Sequence, residues 1–199
     1  MSDTFPRQYA RTQRLTLGDP RDITVSRDGL RVTFARSRAG DDPMNCLWVL
    51  DVPSGQERLV ADPLELLGAS DDENLPDDER ARRERMREGA SGVTAYSTDD
   101  AGTVSAFALA GRLFVAGLVS GKARELAVDG PVFDPRPDPV ATRVAYVSGR
   151  SLRIAELDGQ SWELAGPTAD DEGTVSWGRA EFIAAEEMGR YRGYWWSPD

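Results

Sequence analysis

The chain contains no histidine and only one cysteine, Cys46, among 199 residues. Without histidine it lacks the side chain that titrates nearest neutral pH and the commonest metal ligand, so a Ser-His-Asp triad would have to take its histidine from beyond residue 199. A single cysteine excludes an intrachain disulfide framework. Its neighbours Leu47, Trp48 and Val49 predict a small buried thiol and not a nucleophile. No stretch approaches the ~18 consecutive apolar residues of a membrane span, and Met1 to Ala10 lacks the basic-then-apolar layout of a secretory leader. The expectation is a cytoplasmic protein without a membrane partner. A formal charge of -10 leaves too few Lys and Arg for a general nucleic-acid binder. Walker loops, dinucleotide glycine fingerprints, zinc spacings, EF-hands and Gly-x-Ser-x-Gly elbows are all missing, so no cofactor or metal is predicted.

What is present is a loosely repeated unit of short alternating strands and tight turns. The first copy, about 23–60, runs through Val25-Ser26-Arg27-Asp28-Gly29, Leu30 to Ala35 and Cys46 to Asp51, then closes on Ser54-Gly55. The second, about 93–127, has the same layout and turns at Ser120-Gly121. The third, about 131–165, turns at Asp158-Gly159, and a fourth opens at 193–199 with Gly193-Tyr194-Trp195-Trp196-Ser197-Pro198-Asp199. Period-2 alternation broken by Asp-Gly and Ser-Gly marks antiparallel hairpins, and repeats of roughly 40 residues mark propeller blades. The predicted fold is all-β: a partial β-propeller of about three blades plus the start of a fourth, with two short helical insertions. Because blades pack on both neighbours, the chain is expected to be a fragment that associates through unpaired edges. Trp195 and Trp196 are expected in blade core.

The insertions interrupt the repeat. Over about 75–89, Pro76 and acids precede strong helix formers and Gly89 follows them, predicting a helix that carries Arg80, Arg82, Arg83, Arg85 and Arg87. Interleaved Glu84 and Glu88 permit ordinary intrahelical pairs, while an inward Arg would present a fork to a carbonyl or carboxylate. Over about 179–190, Ala180 to Met188 also favours helix and contains Glu186-Glu187. The apolar run before this pair predicts that at least one carboxylate reaches a partly desolvated space. Adjacent carboxylates can converge on one ammonium, whose three N–H donors suit charge-assisted acceptors. A solvated Glu-Glu step on a helix surface is the other reading of the same residues.

The segment Arg179-Ala180-Glu181-Phe182-Ile183-Ala184-Ala185-Glu186-Glu187-Met188-Gly189-Arg190-Tyr191-Arg192-Gly193-Tyr194-Trp195-Trp196-Ser197-Pro198 resembles the double-glutamate segment of the dipeptidyl peptidase IV family. It looks closest to the cytosolic branch with dipeptidyl peptidases 8 and 9 and their bacterial relatives. Arg83-Glu84-Arg85-Met86-Arg87 followed by Gly92-Val93-Thr94-Ala95-Tyr96 is similar to the arginine helix of that branch. The resemblance implies a propeller that caps an α/β-hydrolase domain, with the hydrolase Ser, Asp and His C-terminal to this chain. It implies that Glu186 and Glu187 hold the α-ammonium of a peptide substrate with a free N-terminus, so that dipeptides of the Xaa-Pro type are removed. It implies too that an arginine, Arg87 first, then Arg83 or Arg85, contacts a substrate carbonyl, and it admits a homodimer of the full-length protein. A non-catalytic propeller that binds proteins or peptides is the alternative from a different class.

Overall fold

The computed structural model describes residues 4–68, 91–171 and 173–198. Three antiparallel sheets follow one another along the chain, each with its strands in sequence order. The first holds β1 (Arg21–Val25), β2 (Arg31–Ser37), β3 (Met44–Asp51) and β4 (Gln56–Ala61); β5 (Ser91–Gly92) pairs parallel to the start of β3. The second holds β6 (Ser97–Thr98), β7 (Val104–Leu109), β8 (Arg112–Gly117) and β9 (Lys122–Leu126). The third holds β10 (Val132–Pro137), β11 (Arg143–Ser148), β12 (Ser151–Glu156) and β13 (Ser161–Ala165).

One turn opens every sheet. Ser26, Asp99 and Asp138 follow the first strand of the three sheets and are buried. The Asp99 carboxylate accepts from the backbone N–H of Thr103 and Val104, and Asp138 accepts from those of Thr142 and Arg143. Ser26 Oγ takes the N–H of Arg31 in the same way. A short acceptor at this position ties the start of the second strand to the end of the first, the local chemistry that Asp and Ser favour in turns.

The middle strands of the second and third sheets are buried on both faces, because the second packs between the first and the third and the third packs between the second and segment 194–196. Leu47, Val49, Phe107, Leu109 and Phe114 join the first sheet to the second. Phe107 and Phe114 are direct cross-strand partners whose rings stack at 5.9 Å. Ala106, Leu113, Val115, Val144 and Tyr146 join the second sheet to the third. Alternate residues of the same strands thus serve opposite interfaces: Val144 and Tyr146 face the second sheet, while Ala145 and Val147 face the segment 194–196. At the outer strands, Arg58 donates to the carbonyls of Leu118 (2.5 Å) and Val119 (3.0 Å), and Arg124 donates to that of Leu157. The chain is therefore all-β, a partial β-propeller built of stacked antiparallel sheets.

Three short helices are described. The helix α1 (Phe5–Arg11) precedes the sheets and buries none of its residues. The helix α2 (Pro63–Leu67) leaves the end of β4, capped by the Asp62 side chain on the Leu64 N–H and started by Pro63. The helix α3 (Phe182–Met188) falls within the second expected insertion. The first, about 75–89, lies outside the described residues. Residues 193–198 form no strand and pack on the third sheet. Among the described residues, no helix is long and apolar enough to cross a membrane.

The first and third sheets end at corresponding points of the fold. The chain departs from the first sheet at the end of β4 and from the third at the end of β13, the same position in the four-strand order. In stacked sheets of one topology these ends lie on one rim, whereas only the short link 127–131 joins the second sheet to the third.

Candidate functional site

Segment 177–193 leaves the third sheet and returns to it. The backbone N–H of Trp177 donates to Arg150 O (2.9 Å) and Arg179 Nε to Gly149 O (3.0 Å), fixing the departure to the β11–β12 turn. The return is at Gly193, where a Cβ would stand 2.3 Å from Gly178 O. Only glycine permits so close a crossing of backbones, so the excursion is pinched shut at its base.

On this excursion α3 is defined at both ends. Glu181 caps it, accepting from the N–H groups of Ile183 (2.9 Å) and Ala184 (2.8 Å). Those bonds, Ile183 first, hold the Glu181 carboxyl below its usual pKa. Gly189, with φ 62°, ends the helix and donates to Ala184 O. Ala184 and Ala185 are the buried residues that anchor it, while Ile183 and Met188 are exposed. Glu186 and Glu187 are both exposed. The desolvated carboxylate expected from the preceding apolar run is therefore not present: the buried stripe of this short helix ends at Ala185, one residue before the pair. Arg83, Arg85 and Arg87 lie outside the described residues.

Beyond α3 the chain is bound tightly to the third sheet. Tyr194 is buried, its ring among Ala145, Val147 and Ile154, and its single hydroxyl proton is shared between Asp134 O and Ala145 O (2.9 Å). Burial first, then the nearby Asp134 charge, raises its phenol pKa well above the usual value. Trp196 packs against the same cluster and donates Nε1–H to Arg136 O (3.1 Å). Trp195, expected in the core, is 58% exposed. In an extended segment residues i and i+2 share a face, so Tyr194 and Trp196 turn inward together and Trp195 turns out.

The first sheet contains the same device. The Tyr96 hydroxyl, on the segment that enters the second sheet, donates toward Asp22 O and Thr33 O (2.7 Å). Asp22 (φ 51°) and Asp134 (φ 46°) sit at matching register shifts in β1 and β10, where the left-handed backbone turns a carbonyl out of the ladder. Burial pushes the Tyr96 phenol up to about 12.

Sequence reasoning did not identify the cleft where the opening strands of the three sheets converge. It has a volume of about 370 Å³ and is lined by Asp22, Thr24, Thr94, Tyr96, Asp134, Arg136 and Tyr191, among others. An adjoining cleft of about 320 Å³ shares Thr24, Tyr96 and Arg136 and adds Ser97, Asp100, Arg192 and Trp196. Arg136 pairs with Asp134 at 2.6 Å. The residues come from three sheets and the returning excursion, so only the tertiary fold assembles them. Among the described residues, no group of three or more acidic, histidine or cysteine side chains is placed to hold a metal. Cys46 is buried, and burial pushes its thiol up to about 11, away from nucleophilic use at neutral pH.

Residues 103–199 match the family described as the dipeptidyl peptidase IV (DPP IV) N-terminal region. The match takes in β7 to β9 of the second sheet, the third sheet, α3 and the Tyr194–Trp196 segment. Among solved structures, TolB from Acinetobacter baumannii is similar with a TM-score of 0.45 at 11% identity, over 74% of this chain and 32% of that one. The chain thus spans about a third of the TolB chain.

Proposed function

We propose that this chain is the substrate-selecting propeller portion of a serine exopeptidase that removes N-terminal dipeptides, with Glu186 and Glu187 receiving the peptide α-ammonium. The observation that carries this reading is the match of residues 103–199 to the DPP IV N-terminal region, which includes the glutamate pair. The geometry is compatible with it. The two glutamates stand on a helix with defined caps, on an excursion shut at Gly193, and both are exposed. Capturing an N-terminus at a fixed point limits how far a peptide reaches toward a nucleophile, and so selects the bond to be cut. The Ser, Asp and His of such a peptidase would belong to a domain outside these 199 residues.

The test uses the full-length protein with free and N-acetylated Xaa-Pro substrates. Free substrates should be cleaved and acetylated ones spared, and Glu186→Gln/Glu187→Gln should lower kcat/KM by about 100-fold or more, the scale of losing charge-assisted contacts. Equal cleavage of both substrates, or full turnover by the double variant, would refute the role of the pair.

A further inference from the structure

We propose that the cleft between β10 and the segment returning from α3 is a carboxylate-binding site, with Arg192 as its principal cation and Arg136 beside it. Both side chains line the same cleft, whose remaining polar wall includes Thr24, Ser97 and Thr98. The two cations there are not paired alike. Arg136 has Asp134 as its partner at 2.6 Å. Arg192 makes no hydrogen bond or ion pair with any described residue; its guanidinium lies 5.5 Å from the Trp195 ring centre, and its Nε is buried without an acceptor. Asp100, at the rim, is exposed and is not among the groups that act on the Arg192 charge. One half-buried cation therefore has no carboxylate in direct contact, although the chain's net charge is -10.

An unpaired, partly desolvated guanidinium held on an aromatic face retains its fork of N–H donors for a planar anion. Burial, and then the Arg136 charge, lower the Arg192 pKa and outweigh the raising effect of Asp134, whose carboxylate is paired with Arg136. A carboxylate fits such a fork: two oxygens match its N–H donors, and the negative charge meets a guanidinium that has no carboxylate in direct contact. The cleft accommodates a side chain or a chain terminus, so the carboxylate is that of an acidic residue in a peptide or that of a peptide C-terminus.

This site does not depend on the proposed role of Glu186 and Glu187, and its test leaves them out by using probes without a free amine. The 199-residue chain is titrated with N-acetylglutamate α-amide (side-chain carboxylate only), N-acetylalanine (α-carboxylate only) and N-acetylglutamine α-amide (neutral), following the arginine Nε–H resonances. Saturable binding of at least one acid, absence of binding by the neutral amide, and loss of about tenfold or more in affinity in Arg192→Gln are expected, with partial recovery in Arg192→Lys. The acid that binds identifies the source of the carboxylate. Because Arg192 has no hydrogen-bond partner to orphan, Arg192→Gln should keep the circular dichroism of the parent chain. Failure of both acids to bind, equal binding of the neutral amide, or undiminished binding in Arg192→Gln would overturn the proposal.

Discussion

Replacing Tyr194 by phenylalanine removes a hydroxyl and leaves a ring of nearly the same shape, so it isolates the contact that fastens the end of the described chain to the third sheet. The single hydroxyl proton is shared between Asp134 O and Ala145 O, and the side chain is buried. A net hydrogen bond contributes about 0.5–1.5 kcal/mol, and leaving a buried acceptor short of a donor costs about 1–3 kcal/mol, so about 1–2 kcal/mol is expected for Tyr194→Phe. Tyr194→Ala also removes the ring from the Ala145, Val147 and Ile154 cluster, which raises the cost to about 3–5 kcal/mol. For a chain of this length each kcal/mol lowers Tm by about 2–4 °C. Thermal unfolding followed by circular dichroism should therefore show a loss of about 2–8 °C for the phenylalanine variant and a clearly larger loss for alanine. A phenylalanine variant within about 1 °C of the parent, or an alanine variant no worse than phenylalanine, would show that this tyrosine does not hold the segment.

Tyr96 should reveal itself at alkaline pH. Its phenol is raised by burial to about 12 from an ordinary value of 10.0, so the neutral form is the one the fold favours. The associated stability is complete below pH 10 and disappears as pH rises toward 12, and Tyr96→Phe should flatten urea-measured stability across that window. The isolated chain should bind a free Xaa-Pro amide only weakly, with calorimetric heats that vanish at 0.5 M salt, because both Glu186 and Glu187 are exposed. Tight, salt-insensitive binding by this chain would contradict that reasoning.

The hairpins were readable because their signals are local. Gly55, Gly121 and Gly159 each take the positive φ that closes a hairpin, and the alternation in Arg31–Ser37 and Arg143–Ser148 lies on strands. The helix α2 was readable too, in Asp62 followed by Pro63, yet it went unrecognised beside the longer charged stretch after it. Trp195 and Trp196 were treated as a unit, although adjacent residues of an extended chain cannot face the same side; the inward set is Tyr194 with Trp196. The glutamate pair was legible as a motif, but its exposure was not. Whether an apolar run buries the residue after it depends on where the helix rests, and α3 rests on Ala184 and Ala185. The Arg136–Arg192 cleft had no local signal, since its residues are brought together by sheet stacking and by the closure of the excursion at Gly193.

The exposure of Glu186 and Glu187 constrains how such a pair can act. An ammonium held by solvent-exposed carboxylates gains little, because water and salt compete with it and exposed ion pairs contribute only about 0.2–1 kcal/mol. Strong capture of a peptide terminus therefore requires that something exclude water from α3 once the peptide is in place. Among the described residues, the buried positions of α3 are Ala184 and Ala185, and both glutamates stand outside them. The caps at Glu181 and Gly189 fix the ends of α3, so a covering element would meet an already formed helix and would not have to fold it. On this reasoning the propeller contributes orientation to the proposed site, and the covering element contributes most of the affinity through desolvation.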